Sequence, residues 1–563
     1  MGSIDAAIEN VFGPIATVLS TVVFYEVPIW GGIPIIVVWL MAAAMFLTVW
    51  LRFQPITGFK HSIQVIRGRY TRKTDPGEIS SFQALATELS GTVGLGNIAG
   101  VAVAIATGGP GAALWIAIFG FFGMSVKMAE ATLGVMYRRV KPDGSTEGGP
   151  QYFLRDGLAA IGFKRTGKVL ALMYAIFALV GVFGAGNLFQ ANQVSMIVSN
   201  ATGNEFLTGN QWIIGVIMAV LAAVVFLGGV KSIANATSAI TPLMAILYFL
   251  CTLIIILANI QHLPAAISTI ITGAFTPQGV TGGVIGVAVA GIKRALFSNA
   301  AGVGSAAMAH SASKTREPAT EGFTAMWEPL VDSVIICMLT AIAITVTGVY
   351  EAGGEDGVAL TAAAFGTVAS WFPILLTIAV ALFGFSTVLA YEYYGELQAQ
   401  FLFGSSATVR IVFRIVWVAA IVIGAAASLE SVVAFSDAMF FLMAIPNLLG
   451  IYFLAKVVRL EILRHKVRTT TGSIPVVADP DLQAGLRDHE PTPEQVQAAA
   501  DEDAAERERL DDLHRRLGAD PEWAHHDEHG RPTAEEEAGD EHISRSGPVD
   551  TTATDNTPGS SRH

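Results

Sequence analysis

The chain has 563 residues, of which 52% are hydrophobic and 14% charged, and its mean hydropathy is +0.55; a soluble core does not need so much apolar sequence, so the body belongs in a bilayer. The formal charge of −12 does not describe that body, because about half of the 46 acidic residues follow Val467. Nothing suggests nucleic-acid binding, and the two cysteines, Cys251 and Cys337, lie in apolar runs that exclude a disulfide framework or a cysteine zinc site.

In chain order, residues 1–29 lack the basic n-region of a cleavable signal and are read as an extracellular N-terminal segment. An extra transmembrane helix falls within residues 30–56, where the run from about Ile33 to Leu51 is long enough to stay in the membrane. A window of roughly 19 residues gives eleven candidate spans, starting near Gly32, Phe82, Gly111, Val169, Gln211, Ala236, Gly283, Met326, Trp371, Val409 and Val432. Their loops alternate in charge. Arg52–Lys73, Arg138–Lys168, Lys231, Lys314 with Arg316, Arg410 and Lys456–Arg468 fall on one side. Uncharged Thr107–Pro110, Glu205, Glu351 with Glu355 and Asp356, and Glu430 fall on the other. The positive-inside rule then puts the N-terminus outside and the C-terminus in the cytoplasm, as an odd number of spans requires.

Two spans are interrupted at mid-length by glycine clusters, Thr92-Val-Gly-Leu-Gly-Asn97 and Ala300-Ala-Gly-Val-Gly-Ser305. An unpaired backbone group in hydrocarbon costs several kcal/mol, so an unwound turn at that depth survives only where protein, water, ion or substrate satisfies it. With the first span set aside, ten remain and the broken ones are the first and sixth. Five plus five with opposite starting sides is an inverted repeat, residues 78–259 and 280–466, and paired broken helices point to a secondary transporter. A packing role is the plain alternative, since Gly96 and Gly100 form a GxxxG. Gly94, Gly96 and Ala99 also match a dinucleotide fingerprint, but without the strand that motif needs. Residues 467–563 are rich in Pro, Ala, Glu and Asp and are expected to be a disordered acidic cytoplasmic tail, with helix formers concentrated in Pro493–Leu517.

The motifs Gly94-Leu-Gly-Asn-Ile-Ala-Gly100, Gly108-Gly-Pro-Gly-Ala-Ala-Leu-Trp115, Gly148-Gly-Pro-Gln-Tyr152 and Gly186-Asn-Leu-Phe-Gln-Ala-Asn192 occur in order. Gly291-Ile-Lys-Arg-Ala-Leu-Phe-Ser-Asn299, Phe385-Ser-Thr387 and Tyr394-Gly-Glu396 follow them. Together they resemble the sodium:alanine (alanine or glycine:cation) symporter family over roughly residues 30–460, a branch of the LeuT-fold group. The resemblance implies an all-α polytopic membrane protein with a LeuT-like 5+5 inverted repeat. It also implies sodium-driven import of small neutral amino acids, alanine and glycine foremost, by alternating access in the cell membrane. Another small zwitterion or proton coupling is the alternative, and a channel a more remote one. No metal cluster or nucleophile–base pair in the spans suggests an enzyme.

A zwitterion needs donors for its carboxylate and acceptors for its ammonium. The half-helix that starts at Gly94, Leu95, Gly96 and Asn97 offers free N–H groups and a positive dipole end. Carbonyls freed at Phe297, Ser298 and Gly302 can accept, and by resemblance Gln190 is the best-placed amide; Asn187 and Asn192 are equally readable as helix-to-helix hydrogen bonds. Sodium prefers oxygen ligands, and Ser386 and Thr387 supply adjacent hydroxyls. The LeuT-like pattern adds the carbonyls of Ser90, Val93 and Phe383, a five-oxygen site without a carboxylate. The chain departs from the family at Ala300, usually acidic, and at Tyr391, usually tryptophan and a pocket wall. Lys127, Glu130, Lys293, Glu328, Asp332 and Glu392 are expected within a turn or two of span ends, snorkelling or paired. Arg294 is a candidate outer gate. Glu88 lines either the inward release path or a structural ion pair, and His310 reads as structural.

Overall fold

The computed structural model describes residues 3–27, 33–71, 75–141, 145–226, 228–275, 283–353, 357–470 and 508. The expected disorder of the acidic tail therefore concerns residues almost wholly outside those described. Apart from two short antiparallel pairs, Glu26–Val27 with Ile33–Pro34 and Arg139–Val140 with Thr146–Glu147, the described residues build no sheet. Helices carry the rest.

Helix α1, Ser3–Val23, gives the N-terminal segment a helix of its own, and α2, Ile35–Trp50, is the extra span. The loop after it holds α3, Phe59–Ile66. The first set of five comprises α4 (Ser81–Thr92) continued by α5 (Val101–Gly108), α6 (Ala112–Met136), α7 (Lys164–Phe183) continued by α8 (Phe189–Thr202), α9 (Trp212–Phe226) and α10 (Gly229–Ala258). After a connecting helix α11, Leu263–Phe275, the second set begins with α12 (Gly283–Asn299) and α13 (Ser305–Ser311), then α14 (Pro318–Ala325) with α15 (Met338–Thr347). A connecting helix α16, Val358–Gly366, leads to α17 (Pro373–Phe403), α18 (Ala407–Ala426) and α19 (Leu429–Thr470), along which α1 packs.

Local chemistry sets several boundaries. Ser80 caps α4 by accepting from the Gln83 N–H at 3.2 Å while its own N–H donates to Gln83 Oε1 at 2.9 Å, a reciprocal capping box. Pro318 and Pro373 stand in the first turns of α14 and α17, where a missing N–H costs nothing. Among the described residues seven helices are long and apolar enough to cross a membrane, and α4 with α5, bent by 48°, makes an eighth span. The other three expected spans are present in weaker form: α2 and α9 are shorter than a full crossing, and α12 is separated from α13 by the second break.

The two broken helices run in opposite directions. Helix α12 packs on α5 and α13 packs on α4. Where α4 begins and α13 ends, the Glu78 N–H donates to the Ala312 carbonyl at 2.8 Å and Ile79 bridges Ser313. That antiparallel crossing is the inverted relation expected of the two sets.

Basic residues collect at this same end. Arg138 donates to the carbonyls of Ser311, Ser313, Pro76 and Thr315 at 2.5–2.9 Å, and Glu317 accepts from Arg464 at 3.0 Å and from Arg468. His61 of α3 meets His465 of α19 with 2.9 Å between their Nε2 atoms, so the pair shares one proton. Burial, then His465 and Lys466, depress the His61 pKa to about 4. Burial opposes ionisation of Glu317, but the hydrogen bond to His465 and the charges of Arg464 and Arg468 win and bring it down to about 2. Both shifts favour the folded contact at neutral pH. The His61 contribution is lost as pH falls from 6.5 through about 4, that of Glu317 as it falls from 4.5 through about 2. Hydrogen exchange in residues 59–66, corrected for intrinsic rate, should therefore accelerate between pH 7 and pH 5, and His61→Gln should lose most of that pH dependence. Unchanged corrected exchange in the wild type would contradict the assignment.

Candidate ion and substrate site

The breaks meet each other through glycine. A Cβ on Gly96 would stand 3.0 Å from the Ser298 Cα, and one on Gly94 would stand 2.9 Å from the Thr387 Oγ1 and 3.8 Å from the Gln190 Oε1. Glycine at 94 thus lets the first break touch both α17 and α8. Three of the four interruptions around this point are π-helical turns or flank one, at Gly96–Gly100, Gly184–Leu188 and Leu330–Cys337, a feature frequent where function disturbs a helix. The fourth is the Ala300–Gly304 turn, where Ala300 takes φ of 52°, left-handed for a residue with a Cβ.

Four of the five oxygens expected around sodium are linked within hydrogen-bond distance. The Thr387 hydroxyl lies 2.8 Å from the Ser90 carbonyl and 3.0 Å from the Phe383 carbonyl, with one hydrogen to share between them, and Ser386 Oγ donates to Phe383 at 3.0 Å. Ser386 lies against Met244 Sδ at 3.4 Å. Val93 is buried where α4 ends, three residues after Ser90. The buried Ser90 Oγ has no hydrogen-bond partner among the described residues. This donor set is neutral and made of oxygen, which suits a small hard cation.

Gln190 donates its Nε2 to the Ala185 carbonyl at 2.9 Å, while its Oε1, beside Gly94, is buried without a partner among the described residues. That leaves an acceptor free, as an ammonium requires. Asn187 and Asn192 instead donate to the carbonyls of Trp417 at 2.9 Å and Ala427 at 2.7 Å, so both serve helix-to-helix contacts. Around this point lie aromatic rings. Phe297 packs edge-on to Phe189 with centroids 5.0 Å apart and tilts against Phe440 at 5.8 Å; Tyr391 lies 6.2 Å from Phe440 and presses on Gly186, where any Cβ would collide with it at 2.2 Å.

Two expected contributors are already committed. The Gly94 N–H donates to Asn97 Oδ1 at 2.8 Å, which removes one donor from the half-helix terminus. The Gly302 carbonyl accepts from Asn447 Nδ2 at 2.7 Å and its N–H donates to Glu130 Oε1 at 2.9 Å, facing Leu40 and Leu448 rather than Gln190. Glu130 also accepts from the Gly304 N–H at 3.0 Å and from Asn447 at 2.8 Å. A carboxylate from α6 thus pairs the orphan donors of the second break, a short distance along the chain from Ala300.

Asp332 was expected near a span end and instead lies fully buried where the two breaks join. Its carboxylate accepts from Asn97 Nδ2 at 2.6 Å, from Ser298 Oγ at 2.8 Å and from Ser333 Oγ at 2.8 Å. Lys127, Glu130 and Glu328 are likewise fully buried and do not snorkel. The reason is direction: α6 turns that face toward α13 and α14, so the lysine stem has no path to the headgroups. Lys127 lies 2.5 Å from Glu88 Oε1 and 3.2 Å from Glu328 Oε2. Ser305 donates to Glu88 at 2.5 Å and Tyr394 donates to its other oxygen. Glu88 thus makes a buried ion pair with Lys127. Lys293 stands over the Phe24 ring at 3.9 Å, Glu392 accepts from Arg414 at 3.1 Å, and Arg294 pairs with buried Asp437 of α19. Asp437 had no signal of its own in the sequence.

A sequence model of the sodium:alanine symporter family matches residues 16–478. The sodium/alanine symporter AgcS of Methanococcus maripaludis is 39% identical over 434 residues, 76% of this chain and 93% of that protein. The probable sodium/glutamine symporter GlnT of Bacillus subtilis is 34% identical over 448 residues, 78% of this chain and 90% of that protein. The amino-acid carrier protein AlsT of the same organism is 34% identical over 420 residues, 74% and 86% of the two chains. With the family signature spanning both broken helices and every helix around them, the chain belongs to the sodium:alanine symporter family.

Proposed function

We propose that the protein is a sodium-coupled symporter that carries small neutral amino acids, alanine and glycine foremost, by alternating access around the joint of its two breaks. The observation that carries this reading is the shared corner at Gly94, where the Thr387 hydroxyl and the unpaired Gln190 oxygen approach the same residue. Sodium held by Thr387, Ser386 and the carbonyls of Ser90, Val93 and Phe383 would fix the end of α4 and so shape the adjoining substrate pocket. The amino acid would place its ammonium at Gln190 Oε1 and the Phe297 and Ser298 carbonyls, with its carboxylate at the N–H groups of Leu95 and Gly96, the Asn97 N–H being taken by the Gly94 carbonyl at 3.1 Å. The rings of Phe297, Phe189, Phe440 and Tyr391 pack on one another and would bound the side-chain end of the pocket.

The end bearing Arg138, His61 and Arg464 is read as cytoplasmic and the Arg294–Asp437 pair as an outer closure between α12 and α19. With sodium and substrate buried between those ends, opening must alternate.

Two substitutions test the site. Gln190→Ala is expected to weaken alanine binding by about 1–3 kcal/mol, the cost of leaving a buried polar group unpaired, with little change in sodium binding measured alone. Thr387→Ala should raise the sodium concentration for half-maximal alanine binding and leave saturated affinity nearly unchanged. Calorimetry of both variants giving wild-type alanine and sodium affinities would remove these residues from the site.

A further inference from the structure

Below the proposed site lies a second polar cluster that neither sodium nor the amino acid needs. His310 of α13 stands between two carboxylates, with Nδ1 2.6 Å from Glu321 Oε2 and Nε2 2.7 Å from Glu328 Oε1. All three side chains are 0% exposed. Contacts that short between a ring nitrogen and a carboxylate oxygen each contain a hydrogen, because two lone pairs at that distance repel. A neutral imidazole carries one N–H. The triad therefore holds a proton beyond those of neutral histidine and two carboxylates, and with a carboxylate oxygen on each ring nitrogen it is held as an imidazolium. Glu321 Oε1, also buried, has no hydrogen-bond partner among the described residues and leaves that carboxylate's charge uncompensated on its far side.

The surroundings make the proton conditional on conformation. Elements packed on α13 present Glu88 from α4, Lys127 and Glu130 from α6, Glu321 from α14, Glu328 from the turn before Leu330, and Tyr393 and Tyr394 from α17, all buried. Arg138 holds the Ser311 carbonyl at the end of α13. Lys127 reaches Glu328 at 3.2 Å, so one lysine and an imidazolium stand among the carboxylates of Glu88, Glu321 and Glu328. Two cations against three anions leave a negative remainder in a dry site, which favours keeping the extra proton there. His310 rides on α13, and the carboxylates ride on the α14 segment. An inner opening that parted those elements would admit water, which would take the place of both His310 contacts.

We propose that the His310–Glu321–Glu328 triad is a proton-binding site, loaded while the inner side is closed and emptied to cytoplasmic water as α13 leaves α14. This rests on the symport reading, and it adds a proton to the ligands whose release the inner opening requires. No bond other than N–H or O–H changes, and the proton passes from the triad to water. Acid on the cytoplasmic side opposes that release and slows inner opening.

The test uses the full chain in proteoliposomes, with external pH and the sodium gradient fixed and internal pH set between 5.5 and 8.5. Wild-type alanine uptake should fall several-fold as the interior is acidified. His310→Gln and Glu321→Gln, which keep a hydrogen-bonding group but not the extra proton, should transport with an internal-pH profile that is flat. An uptake rate in the wild type indifferent to internal pH, or the wild-type profile persisting in either variant, overturns the proposal. Sodium-dependent uptake at pH 7.5 is measured in the same vesicles, so failure of symport itself is seen separately. If neither variant folds, nitrogen-15 spectra of histidine-labelled wild type decide. At pH 8, where exposed histidines are neutral, one histidine should keep both ring protons, and the absence of such a signal overturns the assignment.

Discussion

Lys127→Met is expected to lower the stability of the folded protein by about 3–5 kcal/mol, the usual cost of removing one partner from a buried pair and leaving the other charge uncompensated. The effect is large because Lys127 serves two carboxylates at once, Glu88 at 2.5 Å and Glu328 at 3.2 Å, with all three side chains at 0% exposure. Methionine keeps the length and apolar stem, so the loss reports the charge. Adding Glu88→Gln should recover part of it, because the amide removes one of the two stranded anions. Thermal unfolding in detergent, followed by loss of the monodisperse peak, would check this. A Lys127→Met protein as stable as wild type would mean that Glu88 is neutralised by some other means.

Asp332→Ala should reduce transport by more than about a hundredfold while leaving the helices in the membrane. Its carboxylate accepts from Asn97 on the first break, from Ser298 on the second and from Ser333 beside it. Hydrogen bonds to a charged acceptor contribute about 1.5–3 kcal/mol each, so losing the first two frees both breaks to move independently. Asp332→Asn retains an acceptor and should fall between. Alanine uptake and binding distinguish the outcomes: near-normal turnover in Asp332→Ala would show that the breaks are aligned by packing at Gly96 and Ser298 alone.

What the sequence made legible follows from physics that acts locally. Glycine clusters in apolar runs announce a break wherever lipid would punish it, and both breaks lie where Thr92–Asn97 and Ala300–Ser305 put them. Loop charge and span length gave the order of helices, although α2 and α9 are shorter than a window of fixed length implies and the break divides α12 from α13. The buried ion pairs were not legible because their partners are remote: Glu88 and Lys127 lie 39 residues apart, Arg294 and Asp437 143. Some signals were present. Lys127 and Glu130 stand one turn apart on a 25-residue helix and share a face, and Glu321 and Glu328 stand about two turns apart. Such spacing marks an inward polar stripe rather than residues bound for the interface. For Asp332 no local pattern helped, since its role comes from a meeting of three chain segments.

The most direct measurement is accumulation of labelled alanine in proteoliposomes of the purified protein under an inward sodium gradient. The arrangement at Gly94, Thr387 and Gln190 predicts uptake above equilibrium that collapses when potassium replaces sodium, competes with glycine, and requires more sodium in Thr387→Ala. Equal alanine uptake with sodium absent, or a wild-type sodium requirement in Thr387→Ala, would contradict it.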